Sequence, residues 1–151
     1  MPIIRPAHAT EQEALHGLWE RSVRATHHFL SKDDIAYYSS MVWEFLASDI
    51  EIWVAASDGT NTPLGFMGLD RDSSGTGWKL EALFVDPAAA RKGVGSQLVR
   101  HARQLKGELA LDVNEQNPDA IAFYRRLGFT ETGRSPVDGA GKPFPLIHMK
   151  G

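Results

Sequence analysis

The most informative absence in the sequence is cysteine. The 151 residues contain none, which excludes disulfide bonds, thiolate-bound zinc, iron–sulfur clusters and any mechanism with a cysteine nucleophile. Also absent are a run of about 18 apolar residues, which a membrane-spanning helix needs, and the layout of a signal peptide. We therefore expect a cytoplasmic protein that does not bind a membrane.

An excess of positive charge is missing as well. The chain has 16 Lys and Arg against 19 Asp and Glu, a net charge of −3, which argues against a nucleic-acid-binding protein because basic excess supplies most of that affinity. The six histidines are scattered, and the adjacent His27 and His28 lack the i, i+4 spacing of a helical zinc pair, so no metal is expected.

What is present is an ordinary globular composition, with 42% hydrophobic and 23% charged residues and no internal repeat. This length and uniformity predict one domain over residues 1–151. Capping boxes at Thr10 with Glu13 and at Ser31 with Asp34 predict the starts of two helices. The predicted strands are residues 2–5, 50–56, 64–69, 78–85, 108–113, 129–132 and 146–149, and the other helices are residues 93–106 and 118–127. The order βααβββαβαββ indicates an α/β protein with a mixed sheet.

A glycine-containing loop follows the apolar strand at residues 78–85. The residues Arg91-Lys92-Gly93-Val94-Gly95 open an amphipathic helix, and the free N–H groups at a helix start form an anion site, here with two cations beside it. The loop matches neither a Walker nor a Rossmann motif. From these residues alone, a phosphate site and a simple helix cap with a solvated basic flank stay equally open.

A second motif lies downstream, where a strand end, a polar loop and a helix carry Asn117 and end on Leu-Gly-Phe. Taken together with the glycine-containing loop, this motif makes the sequence resemble the GNAT superfamily of acyl-CoA-dependent N-acyltransferases. The matching positions are Val85 and Pro87, then Gly93 and Gly95, then Asn117, Ala120, Phe123, Tyr124, Gly128 and Phe129. The resemblance covers residues 50 to 149 and is greatest to small bacterial members with a Thr-His-x-Phe-Leu segment, here Thr26-His27-His28-Phe29-Leu30. One departure is Ala90, which stands where the family carries Gln or Arg.

The resemblance implies a GNAT-type, mostly antiparallel central sheet of about six or seven strands flanked by about four helices. It also implies acetyl-CoA as co-substrate and an N-acetyltransferase that moves the acetyl group directly to a primary amine of a small molecule, an amino acid or a peptide. The pantetheine arm would lie along the strand at residues 78–85, and the pyrophosphate would lie on backbone amides of the loop. The implied cofactor-binding residues are Leu83, Phe84, Val85, Arg91, Lys92, Gly93, Val94, Gly95, Ser96, Asn117 and Tyr124.

Two residues carry the implied proton transfers. Tyr124 would protonate the departing thiolate, and its alternative role is that of a core aromatic residue. Glu81 would take the proton of the amine through water, and its alternative is an exposed strand residue paired with a neighbouring charge. His27 and His28 compete for the role of base because imidazole titrates near neutral pH, and Asp112 is a weaker candidate.

The acceptor pocket should be built from the first two helices, the Trp78 end of the central strand and the final hairpin loop. We expect His27, His28, Phe29 and Trp78 to contact the substrate. Further aromatic residues either line this pocket or belong to the core, namely Tyr37, Tyr38, Trp43 and Trp53, and the loop adds Pro143, Phe144 and Pro145.

Three other functions remain open at this point. The first is a catalytically silent CoA-binding protein of the same fold, a sensor or structural subunit, which Ala90 and the uncertain base favour. The second, an acetyltransferase of charged tRNA, needs a positive face that the net charge of −3 disfavours. The third is a nucleotide-binding protein unrelated to CoA. The resemblance also leaves a homodimer open.

Overall fold

The computed structural model describes residues 2–151 and forms a seven-stranded sheet from strands that come from both ends of the chain. The strands are β1 (Ile3–Pro6), β2 (Glu51–Ala56), β3 (Pro63–Arg71), β4 (Trp78–Val85), β5 (Leu109–Asn114), β6 (Thr130–Ser135) and β7 (Leu146–Lys150). The α-helices are α1 (Gln12–Thr26), α2 (Lys32–Leu46), α3 (Val94–Lys106) and α4 (Pro118–Arg126). The predicted order of elements and the mixed, mostly antiparallel sheet are confirmed.

The strand order is β1-β2-β3-β4-β5-β7-β6. Every neighbouring pair is antiparallel except β4 with β5. These two strands are joined by the crossover helix α3, as a parallel pair requires. The parallel pair therefore lies near the middle of the sheet.

Helices cover both faces of the sheet and bury one apolar cluster on each side. Leu15, Leu18 and Trp19 of α1 pack with Val54 and Phe66 of the sheet. On the other face, residues of α3 pack against the remaining strands, and the members of this cluster include Leu98, Val99, Ala102, Leu80, Leu109 and Leu111. Burial of these side chains stabilises a three-layer arrangement.

The two predicted capping boxes have different outcomes. Ser31 and Asp34 form theirs, with the Asp34 N–H donating to Ser31 Oγ at 3.0 Å and the Ser31 N–H donating to Asp34 Oδ2 at 3.0 Å. The box at Thr10 and Glu13 is wrong. A 3-10 turn precedes α1, and the carboxylate of Glu11 accepts from the His8 amide at 2.8 Å while it also binds Arg5 of β1.

Over residues 2–151, no helix combines the length and the apolar surface that crossing a bilayer requires. The same part of the chain contains no group of three or more His, Asp or Glu side chains placed to hold a metal ion. The prominent features of the structure are a gap between two strands of the sheet and a cavity beside that gap.

Candidate active site

The gap arises because β4 and β5 separate soon after they meet. Their three parallel pairs end where Leu80 lies opposite Leu111. β4 continues to Val85, and within the described chain its later residues pair only with β3. The side of β4 that faces β5 is therefore open over residues 81–85, where an extended ligand can add as a further strand. Leu83, Phe84 and Val85, the expected pantetheine contacts, lie in this open stretch.

A β-bulge marks the start of the gap. Gly68 of β3 pairs with Ala82, and the next residue, Leu69, pairs with Leu80, so Glu81 is the extra residue on β4. Two consecutive side chains, Glu81 and Ala82, consequently line the same cavity, although neighbours on a regular strand point to opposite faces.

The candidate phosphate loop lies beyond the open end of β4. Arg91 and Gly93 both adopt left-handed backbone conformations, with φ of 62° and 80°, and Gly93 is the N-cap of α3. The first hydrogen bond of that helix runs from the Gln97 amide to the Gly93 carbonyl at 3.0 Å. The amides of Val94, Gly95 and Ser96 therefore lie at the helix start, where the dipole favours an anion. The exposed Arg91 and Lys92 add positive charge beside them.

The carboxylate of Asp86 shapes the approach to this loop. It accepts from the Ala88 amide at 3.0 Å and from the Arg21 guanidinium of α1 at 2.7 Å. Burial acts to raise the pKa of Asp86, but these two donors outweigh it and the pKa lies below its ordinary value. The charged carboxylate thus ties the end of β4 to α1.

Gly95 lets three elements meet at the loop. A Cβ atom at this position would lie 3.2 Å from Cζ of Phe123 on α4 and 3.7 Å from Cγ2 of Val85 on β4. A larger residue would push α4 away from the start of α3, because the first of these separations is already tight. This glycine therefore keeps α4 beside the gap.

Helix α4 carries the two other predicted residues of the cofactor region. The Asn117 side chain caps the helix by accepting from the Ala120 amide at 3.2 Å. Two turns further on, the half-buried Tyr124 ring makes edge contacts with Phe123 and Phe129, at centroid distances of 5.1 and 5.5 Å. Burial raises the pKa of the Tyr124 phenol, so the group is protonated at neutral pH and can donate a proton.

A cavity of about 410 Å³ lies on the α1 and α2 side of β4. Its wall is mostly apolar and includes the aromatic residues Trp19, Phe29, Phe45, Phe66, Phe84 and Phe144. Its polar lining consists of His27, Tyr38, Glu81, Asn114 and Asp138. Since Glu81 lies both at the start of the gap and on the cavity wall, the two openings meet at this residue.

Of the predicted substrate residues, His27 and Phe29 line this cavity. The Thr26 hydroxyl lies 2.7 Å from Nδ1 of His27. Burial lowers the pKa of His27, and the nearby charge of His28 lowers it further, so the imidazole is neutral at neutral pH. His28 itself is exposed and outside the lining of the cavity.

Trp78 does not belong to this cavity, contrary to our expectation. Its ring contacts the Arg71 guanidinium and the Lys106 ammonium, which lie 4.3 and 3.8 Å from the ring centroid. It packs against the cluster beneath α3, on the opposite face of the sheet. The physical reason is the bulge. Strict alternation would place Trp78 on the same face of β4 as Ala82 and Phe84, but the extra residue Glu81 shifts the alternation and places Trp78 on the opposite face.

The loop at residues 136–145, between β6 and β7, closes the cavity from the side of α2. The Tyr38 hydroxyl donates to the Asp138 carboxylate, and burial together with this carboxylate raises the pKa of Tyr38. Lys142 binds Asp34 at 3.2 Å and lies 4.0 Å from the centroid of the Tyr37 ring. Tyr38 and Phe144 therefore line the cavity, whereas Tyr37, Trp43 and Trp53 lie outside its lining.

This geometry agrees with comparisons to known proteins. Residues 48–131 match the family model of the acetyltransferase (GNAT) domain. The chain belongs to the GNAT family. Among GNAT proteins, it is similar to the peptidyl-lysine N-acetyltransferase YjaB of Salmonella typhimurium, with 44% identity over 97% of this chain and 95% of the relative. The Escherichia coli YjaB is 42% identical over 97% of this chain and 94% of that relative.

Solved GNAT structures give the same result. The solution structure of apo-form YjaB from Escherichia coli superposes with a TM-score of 0.88 at 41% identity, covering 99% of this chain and 97% of the other. The fold is shared with the PaiA N-acetyltransferase of Thermoplasma acidophilum, solved in complex with coenzyme A, with a TM-score of 0.81 at 22% identity over 99% and 98% of the two chains. This GNAT protein is an enzyme, an N-acetyltransferase.

The sequence left Glu81 open as a base or as an exposed strand residue paired with a neighbouring charge; the structure shows such a pairing, with partners that the sequence reasoning did not name. Lys79, on the same strand, lies 3.7 Å from the Glu81 carboxylate and 2.9 Å from that of Asp112. His148 binds the other oxygen of Asp112 at 2.5 Å. The two-residue spacing of Lys79 and Glu81 on one strand was the only available signal, because the other partners depend on the register of β5 with β7.

Proposed function

We propose that this N-acetyltransferase uses acetyl-CoA and transfers its acetyl group directly to the side-chain amine of a lysine in a peptide. The observation that carries the proposal is the meeting of the β4–β5 gap and the acceptor cavity at Glu81. One opening suits an extended thioester with its phosphates on the start of α3. The other suits an amine that approaches from the opposite side.

The lining of the cavity supports lysine as the amine. Four methylene groups of a lysine stem suit a wall of aromatic and aliphatic side chains, and Glu81 supplies a negative charge for the ammonium group. The two YjaB relatives bear the name peptidyl-lysine N-acetyltransferase, which is consistent with this class of substrate.

In the proposed reaction, the amine nitrogen attacks the thioester carbonyl, so that a C–N bond forms and the C–S bond breaks. Glu81 accepts the proton that the amine loses, through water, and Tyr124 donates its phenolic proton to the departing sulfur. Burial raises the pKa of Tyr124, so the phenol is protonated in the free protein at neutral pH. Asn117 and the backbone of Leu83 and Val85 hold the pantetheine arm, and the amides at the start of α3 hold the pyrophosphate.

Calorimetric titration with acetyl-CoA, NAD and ADP tests the co-substrate. We expect micromolar binding of acetyl-CoA only. Replacing both Arg91 and Lys92 by Gln should weaken it roughly tenfold at low salt, because these exposed cations flank the phosphate loop. Lys32→Gln removes an exposed cation at the start of α2 and is the matched control. Equal binding of ADP, or an undiminished affinity in the double variant, would contradict the assignment of the loop.

Release of the CoA thiol tests the acceptor. Two peptides are compared, one with a single lysine and a blocked N-terminus, the other with a free N-terminus and no lysine. The proposal expects release with the first peptide and little with the second. The reverse result would assign the cavity to α-amines, and release with small amines alone would exclude a peptide substrate.

The remaining expectations stay predictions from the sequence. They are a cytoplasmic location, the lack of nucleic-acid binding and the open question of a homodimer.

A further inference from the structure

A line of polar side chains crosses four strands next to the acceptor cavity. It begins at Glu81 on β4, whose carboxylate lies 3.7 Å from Lys79 Nζ. Lys79 Nζ donates to Asp112 Oδ2 on β5 at 2.9 Å. The other oxygen, Asp112 Oδ1, lies 2.5 Å from His148 Nδ1 on β7, and His148 Nε2 lies 2.6 Å from the hydroxyl of Ser135 on β6.

The protonation states in this line follow from the contacts. Burial acts to raise the pKa of Asp112, but its hydrogen bonds with Lys79 and His148 outweigh that effect and lower the pKa. The ionised carboxylate can only accept, so His148 Nδ1 carries a proton and donates it to Asp112. Burial acts to lower the pKa of Lys79, but Asp112 and Glu81 outweigh it and raise the pKa. The lysine is therefore charged at neutral pH.

The bulge at Glu81 explains why the Glu81 side chain needs a further contact. Glu81 is the one residue of β4 that the ladder with β3 skips, so its backbone is not fixed by a strand partner there. Its side chain is 31% exposed, while the side chains of Lys79 and Asp112 are 27% and 28% exposed. A partly exposed carboxylate on a bulge needs a further contact to keep one orientation, and Lys79 is the cation within reach of it.

We propose that Lys79 is a positioning residue that orients the Glu81 carboxylate on the cavity wall, and that Asp112, held by His148, fixes the Lys79 ammonium. This inference rests on the proposed role of Glu81 as the group that accepts the amine proton. It assigns the polar line to the acceptor side of the reaction and not to acetyl-CoA.

The other titratable groups near Glu81 come from the elements around the cavity. His27 at the end of α1, Tyr38 on α2 and Asp138 of the β6–β7 loop all line it. The Asp138 carboxylate is occupied by the Tyr38 hydroxyl and by the amides of Ala140 and Lys142. Among the described side chains, Lys79 is thus the cation whose contact with Glu81 is direct.

The pH profile of kcat/KM for the blocked lysine peptide tests the proposal, because the two neighbours of Glu81 carry opposite charges. Lys79→Gln removes the cation and leaves two carboxylates facing each other, so the acid limb should move to higher pH by about half a unit. Asp112→Asn removes the second carboxylate that pairs with Lys79, so the full charge of Lys79 acts on Glu81. The acid limb should then move to lower pH by a similar amount. Lys79→Arg should restore most of the wild-type profile.

Shifts of opposite sign separate positioning from a general loss of structure, which would not reverse its direction. Lys150→Gln is the matched control, since Lys150 lies on the same face of β7, two residues from His148. It should leave the limb in place. Affinity for acetyl-CoA, which under this proposal does not depend on the polar line, reports whether each variant is folded. If Lys79→Gln does not fold, Asp112→Asn and Lys79→Arg still carry the test.

The Glu81→Gln variant distinguishes the two possible failures. If it keeps wild-type turnover, the proposed role of Glu81 is wrong, and the positioning role of Lys79 with it. If it loses turnover while Lys79→Gln and Asp112→Asn shift the limb in the same direction or not at all, the role of Lys79 alone is overturned.

Discussion

At the scale of single residues, Tyr124 is the clearest test of the proposed chemistry. Its phenol is held between two aromatic rings and keeps its proton because burial raises the pKa. Tyr124→Phe should lower kcat for thiol release by about a hundredfold, the usual contribution of a general acid. The Kd for acetyl-CoA should change little, because the ring and its packing remain.

Calorimetry and initial rates on the same preparation check this prediction. Tyr37→Phe removes an exposed phenol from α2 and serves as the control. Unchanged turnover in Tyr124→Phe would leave Tyr124 as a core aromatic residue only.

The residues that the sequence identified are those that belong to short motifs. Gly93 lies at a left-handed helix cap, one of the two roles that the local pattern predicted for its loop, and Asn117 of the second motif caps α4. The face of Trp78 was not predictable, because a single extra residue at Glu81 inverts the alternation of β4. The contact of Asp112 with His148 was not predictable either, since it joins residues 36 apart through the pairing of two strands.

At the scale of elements, the contact of the β6–β7 loop with α2 should control access to the proposed acceptor cavity, because both elements contribute to its wall. Replacing Tyr38 by Phe and Lys142 by Met removes the hydrogen bond to Asp138 and the ion pair with Asp34. The loop should then spend more time away from α2, and KM for the peptide should rise about tenfold, as expected for the loss of two such contacts. The Kd for acetyl-CoA should not change.

Kinetics with the peptide varied at saturating acetyl-CoA measure this effect. Tyr37→Phe keeps the ring that Lys142 contacts and should behave as wild type. A fall in kcat with KM unchanged would mean that the loop acts on the chemical step instead of on access.

Helix starts show how far local sequence determines an element. Ser31 and Asp34 satisfy each other's amides within one turn, so the pattern predicted the start of α2. The start of α1 depends on Arg5, which lies on β1 and binds both oxygens of Glu11 at 2.8 Å. A tertiary contact therefore moved the helix start away from the box at Thr10 and Glu13.

At the scale of the whole molecule, the carboxylates predict a stability that falls in acid. The pKa values of Glu11, Asp34, Asp72, Asp86, Asp112 and Glu131 all lie below their ordinary values. Groups of this kind stabilise the fold above their unfolded pKa of about 4, and the contribution is lost as pH falls through the lower folded pKa. Urea unfolding at pH 7 and at pH 3 should show a lower midpoint at pH 3.

Glu11 offers the sharpest check, because its side chain is 13% exposed and its pKa is lowered chiefly by the hydrogen bonds from Arg5. Glu11→Gln should cost about 2 kcal/mol at pH 7, the value of hydrogen bonds to a charged group. Its midpoint should also depend less on pH than that of the wild type. An equal loss at both pH values would show that the pair contributes packing and not charge.

The short contact between β4 and β5 has a further consequence for the free protein. Three parallel pairs join a block of β1 to β4 to a block of β5, β7 and β6, so the shortest ladder in the sheet coincides with the proposed site of the reaction. A ligand that fills the gap beside this ladder adds its binding free energy to the stability of the fold. The short β4–β5 ladder therefore links ligand binding to the resistance of the sheet against local opening between these two strands.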